Sequence, residues 1–342
     1  MLDDQVDVDV QIWVPIRRFL YVFENLPPDF DSCLEDLVNY LPEAILRTED
    51  GVVSASACLA EPSQQVLMKF IGGQDGWLES TLLGFLRIDV VRRVDVCAVR
   101  KENIERGGIE EELILPLVAH VLSPVVVDVL TLAQIAYPAR ISSLEGSVWL
   151  DDQYITSVPG VSSFSNEMLV NESGGWPELM VLNLEKVVSW EIRLGLFAQD
   201  KAVTPIQRSL ASYTHALSQG VSKGGETLFW LMQGLESFYC RGNAELRRQL
   251  GEKSRIFLGD WQDKKNIVGK LYDFRSKFVH GSFHLARWNS RGGEWDVGAC
   301  DESELYESLL MAARMLTASL QKSVMGGYTQ VEFESSYALC VK

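Results

Sequence analysis

An arginine and a histidine five residues apart close one stretch of this chain, Asp273-Phe274-Arg275-Ser276-Lys277-Phe278-Val279-His280-Gly281. Arginine stays charged at physiological pH and can grip a phosphate with two parallel N–H donors. A histidine side chain changes charge near neutrality, so it can take a proton from a nucleophile or give one to a leaving group. Together they suit phosphoryl chemistry on a substrate that brings its own nucleophile, as RNA does in its 2′-hydroxyl. On a regular helix five residues turn ~500°, which leaves the two side chains about 140° apart. Convergence therefore needs the helix to end near His280, and Gly281 favours such an end. The spacing alone is weak. The chain holds four histidines, and Arg208 with His215 forms a second arginine–histidine pair on one face of an earlier helix, which reads as an ordinary surface pair.

Other chemistries lack their motifs. The glycine pairs at 72–73, 174–175, 224–225, 292–293 and 326–327 fit neither dinucleotide nor P-loop spacing, and there is no HExxH and no GxSxG. The six cysteines (33, 58, 97, 240, 300 and 340) are scattered with no CxxC. That pattern argues against a zinc site or a disulfide framework and for a reducing, cytoplasmic setting. No metal and no cofactor is expected. The acidic start, MLDDQVDVDV, lacks the basic and apolar regions of a secretory leader. Leu113 to Tyr137 is the most apolar stretch, but His120, Pro124, Asp128 and Gln134 would be costly in hydrocarbon, so it reads as buried helix or strand. No membrane partner is expected.

The elements that must position the pair are consecutive helices. Thr204-Pro205 is a cap-and-proline start for a helix to about Gln219, broken at Gly220 to Gly225. Glu226 to Tyr239 is strongly apolar; Asn243 can cap Ala244 to Leu258, which stops at Gly259; Asp263 to His280 is the helix of the pair. A polar loop, Arg287 to Cys300, leads to a helix over Glu302–Lys322, and the tail from Tyr328 can add a strand. Short connections imply antiparallel neighbours, hence a bundle. The first half is mixed. Val6 to Ile12 alternates as a half-buried strand, Glu43 to Ala60 reads as a hairpin turning at Asp50-Gly51, and Arg87 to Arg100 reads as a strand. Glu110 to Ile135 reads as mainly helix interrupted near Pro124, Ser147 to Val158 as a hairpin, Ser163 to Pro177 as loop and Leu182 to Leu196 as helix. The fold class is therefore α+β, a mixed domain over 1–200 followed by an all-α bundle over 201–342.

Charge follows the same division. Residues 1–199 carry 13 Lys and Arg against 31 Asp and Glu, a net −18, whereas 241–291 carry 12 against 5, a net +7. The whole-chain −16 disfavours nucleic acid, but the basic stretch partly lifts that objection. A solvated helical face is its plain alternative.

Three helices in order carry a resemblance. "TLFWLMQGLESFYC" sets Glu236 in an apolar run, "AELRRQLGEKSRIFLG" follows, and "IVGKLYDFRSKFVHGSF" ends with the pair. That succession resembles the HEPN superfamily, particularly its Apea-like branch, where a glutamate sits on an apolar helix and a later helix ends LYDxRSKxVHG. The likeness covers about residues 205–323, some 35% of the chain, and its last motif fits nine consecutive positions. Lys253 stands where the family pattern has arginine. The resemblance implies an all-α bundle that dimerises and a metal-independent endoribonuclease, with two arginine–histidine motifs in one composite cleft. It implies 2′,3′-cyclic phosphate ends and a setting in antiviral defence or as a growth-arresting toxin.

In that frame Arg275 and His280 are the catalytic candidates. Glu236 is either a buried partner for Arg275 or a carboxylate of the site, and Asp273 is a competing partner. Ser276 is placed to touch phosphate or solvent, and His284 can extend the site. Lys277, Arg247 and Arg248 can guide an RNA backbone or form a solvated face. Trp230, Phe238 and Tyr239 read as core, whereas Trp261 and Trp288 near helix ends are open to stacking on bases. The partners expected are RNA and a second copy of the chain. The acidic first domain would sense a trigger or restrain the nuclease. A non-catalytic HEPN scaffold binding RNA or protein is the alternative.

Overall fold

A computed structural model describes residues 5–17, 30–48, 52–71, 82–95, 122–138, 140–150, 152–162, 164, 176–199, 201–219, 224–242, 244–260, 267–282 and 299–334. It bears out the α+β class, with an antiparallel sheet in the first part and helices after it. Residue contacts divide the chain into two units. Met1–Asn166 and Asn183–Glu185 form the first, and Glu167–Leu182 with Lys186–Lys342 the second. The division falls before residue 200, because the helix that follows Glu185 packs with the bundle: Trp190 is fully buried, and its indole N–H donates to the Tyr328 carbonyl at 2.7 Å.

The first unit is built on β1 (Gln5–Arg17), β2 (Val52–Ala60), β3 (Leu82–Asp95), β4 (Ser142–Ser143), β5 (Gly146–Leu150) and β6 (Gln153–Val158). The strand order is β2-β3-β1-β5-β6, with β4 on the end of β1 and every pairing antiparallel. Period-two alternation in β1 sorts its side chains. Val8, Val10, Ile12, Val14 and Ile16 are buried, and the register sets Ile12 against Ile88 and Val14 against Leu86. The next residues point the other way, and Trp13, opposite Arg87, joins Phe85, Trp149 and Val66 in a separate apolar cluster. Val66 belongs to α2 (Gln64–Ile71), which follows α1 (Phe30–Thr48) and precedes α3 (Leu122–Ala136).

One expectation for this unit changes, and another is borne out over the residues described. Residues 43–48 do not form the first arm of a hairpin; they close α1, whose buried Leu34, Leu37, Leu41 and Ile45 keep a spacing of three and four. The apolar stretch is a buried helix over Leu122–Ala136, with Pro124 in its first turn, where proline costs little. Its Gln134 satisfies itself on the Ile141 carbonyl. The parts expected at 96–121, at Asp50-Gly51 and over most of 163–175 lie outside the described residues. Among the described residues no helix is long and apolar enough to cross a membrane.

The second unit contains α4 (Leu184–Leu194, from Lys186 on), α5 (Leu196–Gln199), α6 (Pro205–Gln219), α7 (Gly224–Tyr239), α8 (Leu246–Leu258), α9 (Ile267–Val279) and α10 (Ala299–Gly326). Helix α7 is central and touches α6, α8, α9 and α10. Its Leu228, Leu231, Met232, Leu235, Phe238 and Tyr239 recur at helical spacing and are all buried, one apolar stripe turned into the bundle. Gly234 lets α6 and α10 close in, since a Cβ there would stand 2.7 Å from Leu316 Cδ2 and 3.3 Å from Ser212 Cβ. Helix α8 starts at Leu246 rather than Ala244. The Gln249 side chain folds the preceding turn, accepting from Arg241 N and donating to the Arg241 and Ala244 carbonyls, with Glu245 left-handed at φ 55°. Asn243 lies outside the described residues. Described tail residues 328–334 form no strand. Phe333 instead packs its ring on Tyr239 and Phe257, and the Val331 carbonyl accepts from Arg241.

Candidate functional site

Helix α9 buries Val268, Leu271 and Phe274, which leaves Asp273, Ser276, Lys277 and His280 exposed and Arg275 at the margin. Its end is a Schellman motif. Gly281 adopts φ +69°, its N–H donates to the Phe278 carbonyl and Ser282 N–H to the Lys277 carbonyl. His280 is thus the last residue before the reversal, with Gly281 in a conformation costly for any side chain. The final turn is also fixed from outside. Gly225, in the first turn of α7, faces Phe278, and a Cβ there would stand 2.8 Å from two ring atoms. Gly225 is a site residue that the sequence reading passed over as a helix break. The doubled glycine 224–225 was its signal.

Arg275 turns toward α7. Its Nη2 stands 3.6 Å from Glu236 Oε2, with the arginine side chain 28% exposed and the glutamate 11%. Asp273 takes no part in that pair; it lies 3.8 Å from Arg247 on an exposed surface. Glu236 Oε1 and the Tyr272 hydroxyl are both buried, and neither completes a hydrogen bond of ordinary geometry. Burial, and next the Glu236 charge, hold the Tyr272 hydroxyl far above its usual range. The same two causes, in the same order, push the Cys240 thiol up to about 11. One nearly buried carboxylate therefore acts on three neighbours, and Arg275 is its ion-pair partner.

The basic candidates differ in how they are held. Arg248 is gripped along its own helix by Glu245 and by Glu252 at 3.1 Å. Lys277 lies over the Phe274 ring at 5.2 Å. Exposed pairs of this kind contribute little, so a phosphate can displace them. Lys253 donates to Gln249 at 2.6 Å and lies 5.5 Å from the Phe333 ring centre, tying α8 to the tail. The second pair has other work: Arg208 donates to the Val203 carbonyl at 2.5 Å, and His215 stacks on Trp230 at 4.2 Å. Phe238 and Tyr239 are core, as expected. His284, Trp261 and Trp288 lie outside the described residues.

Chemically, the end of α9 offers an exposed imidazole at a fixed helix terminus and, one turn back, a guanidinium held by a carboxylate. Comparison with known proteins finds no family model, no curated protein and no solved structure that matches this chain.

Proposed function

We propose that this chain is a metal-independent endoribonuclease of HEPN type that acts as a homodimer, in prokaryotic antiphage defence or stress growth arrest. The observation that carries the reading is the end of α9: the helix stops at Val279, as the arginine–histidine spacing requires for convergence, and His280 is exposed there. His280 takes the proton of the 2′-hydroxyl or supplies one to the leaving 5′-oxygen. Arg275 stabilises the charge that builds on the phosphorus centre. A second copy brings the second pair, and the acidic first unit senses a trigger or restrains cleavage. RNA is the substrate and a 2′,3′-cyclic phosphate one product.

The alternative, a non-catalytic scaffold, is favoured by one observation, the engagement of Arg275 by Glu236 inside the bundle. Purified wild type and His280→Ala, each incubated with total RNA in EDTA, separate the two. Cleavage leaving cyclic phosphate ends, abolished in the variant, supports the nuclease. Equal cleavage by both proteins overturns the role of His280. RNA retention by both without cleavage favours the scaffold.

A further inference from the structure

The first unit contains a cavity of about 440 Å³ on the face of the sheet that carries Trp13. Its floor is Trp13, Trp149 and Val66, which are 3%, 5% and 5% exposed. One wall is the start of α2, where Ser63 Oγ accepts from Val66 N–H at 3.4 Å and so caps the helix. Asp152, left-handed at φ 62°, adjoins that wall, where its carbonyl accepts from the Gln65 amide at 3.1 Å. The volume lies within the range of small-molecule sites, and a buried aromatic floor is joined by the side chains of Gln11, Glu61, Ser63, Gln65, Arg87 and Asp152.

The polar groups define what can enter. The Trp13 indole N–H is buried and has no acceptor among the described residues. Arg87 lies 5.5 Å from the centre of the Trp13 ring, but its charge is already met by Asp89 at 2.8 Å. Glu61 and Asp152 add two carboxylates to the lining, so the surroundings are net negative. A phosphate would meet that charge unfavourably. Gln11 and Gln65 each offer a donor and an acceptor from one flat amide. An anion is therefore disfavoured, and a flat ring that carries donors and acceptors on its edge meets the two amides and the two carboxylates.

From this geometry we infer that the cavity is a binding site for a neutral nitrogen heterocycle of nucleobase or nucleoside size. Edge groups of the ring pair with the Gln11 and Gln65 amides and with the carboxylates. This inference is independent of the nuclease reading, because no residue of the second unit enters it.

The test is calorimetry on the full chain with adenosine, guanosine, cytidine and uridine, each beside its 5′-monophosphate. A free amino acid with an aromatic side chain, tryptophan, is a further probe. At least one nucleoside is expected to bind with micromolar affinity, and its monophosphate at least tenfold more weakly. Glu61→Gln, an exposed change that leaves the core alone, should narrow that gap severalfold. Ser63→Tyr, also on the exposed rim, should abolish binding, whereas Ser63→Ala, which loses the same cap of α2 without filling the site, should keep it. The inference is overturned if no nucleoside binds at millimolar concentration, if the monophosphates bind as tightly, if only tryptophan binds, or if Ser63→Tyr binds as wild type does.

Discussion

Breaking the Arg275–Glu236 pair from either side should cost different amounts, and the difference can be worked from exposure. At 3.6 Å two unit charges attract by about 4.6 kcal/mol at an effective dielectric near 20 and about 1.2 kcal/mol in bulk water. The pair is nearly buried on one side and about a quarter exposed on the other, so the net coupling should lie low in that interval, about 1–1.5 kcal/mol. Arg275→Ala leaves the Glu236 carboxylate without its cation, and a nearly buried unpaired charge is expensive, about 2 kcal/mol or more here. Glu236→Gln leaves a guanidinium that can turn to solvent, at about 1 kcal/mol. The double variant should then fall short of the summed losses by about the coupling energy. Urea denaturation of the four proteins at neutral pH, repeated in high salt, measures all three quantities. Losses that add within about 0.3 kcal/mol, or a larger loss for Glu236→Gln than for Arg275→Ala, would refute the assignment of Arg275 as the partner of that carboxylate.

His280→Ala, at an exposed helix end, should change stability by less than about 0.5 kcal/mol, so any loss of cleavage belongs to chemistry and not to folding; thermal denaturation of the variant checks this. Gly234→Ala gains helix propensity but drives a methyl to within 2.7 Å of Leu316, and should lose about 1–2 kcal/mol net in chemical denaturation. Cys58 is exposed while Cys33 and Cys240 are buried, so brief alkylation of the native protein followed by peptide mass spectrometry should label Cys58 and spare the other two. The Cys240 thiol, pushed up to about 11 from an ordinary 9.0, favours folding fully below pH ~9. That contribution is lost as pH rises toward 11, so the stability difference between wild type and Cys240→Ala should shift against wild type across that window. Burial raises the Glu191 carboxyl above its usual value, so its ionisation opposes folding at neutral pH and ceases to do so in acid. Glu191→Gln should therefore match or exceed wild type in thermal melts at pH 7, with any advantage gone near pH 4.

What the sequence made legible follows the physics of each signal. Pro205, Gly259 and Gly281 mark helix boundaries by local backbone preference, and all three stand at helix ends in the structure. The turn dipeptide Asp50-Gly51 misled for the same reason. It announces a turn without saying what precedes it, and the stripe from Leu34 to Ile45 carried the helix signal instead. The start of α8 is displaced because Gln249, three residues inside the helix, holds the turn behind it, and the N-cap residue Glu245 makes no side-chain cap. Choosing between Asp273 and Glu236 for Arg275 was open in sequence, yet helix geometry disfavours Asp273: two residues on one helix face ~200° apart. The doubled glycine 224–225 marks a place for close approach without naming Phe278 as what approaches, and neither that partner nor the Trp13–Trp149 floor was legible, since each joins segments distant in the chain.

The same geometry bears on how an active site here would be switched. Arg275 cannot serve Glu236 and a phosphate with the same N–H groups at full strength, and Glu236 has already one oxygen without a hydrogen bond. Binding a phosphate must either share the guanidinium, with Nη2 left on Glu236, or draw it outward and leave the carboxylate to Tyr272, whose buried hydroxyl lies close enough to Glu236 for each to act on the other. The second course needs only a small shift for Tyr272 to donate to Glu236 and take over from the arginine. Tyr272→Phe removes that relief. It should leave the resting fold nearly unchanged, because the hydroxyl makes no ordinary hydrogen bond there, while weakening RNA binding severalfold in a filter assay. RNA affinity equal to wild type in Tyr272→Phe would mean that Arg275 is shared rather than released.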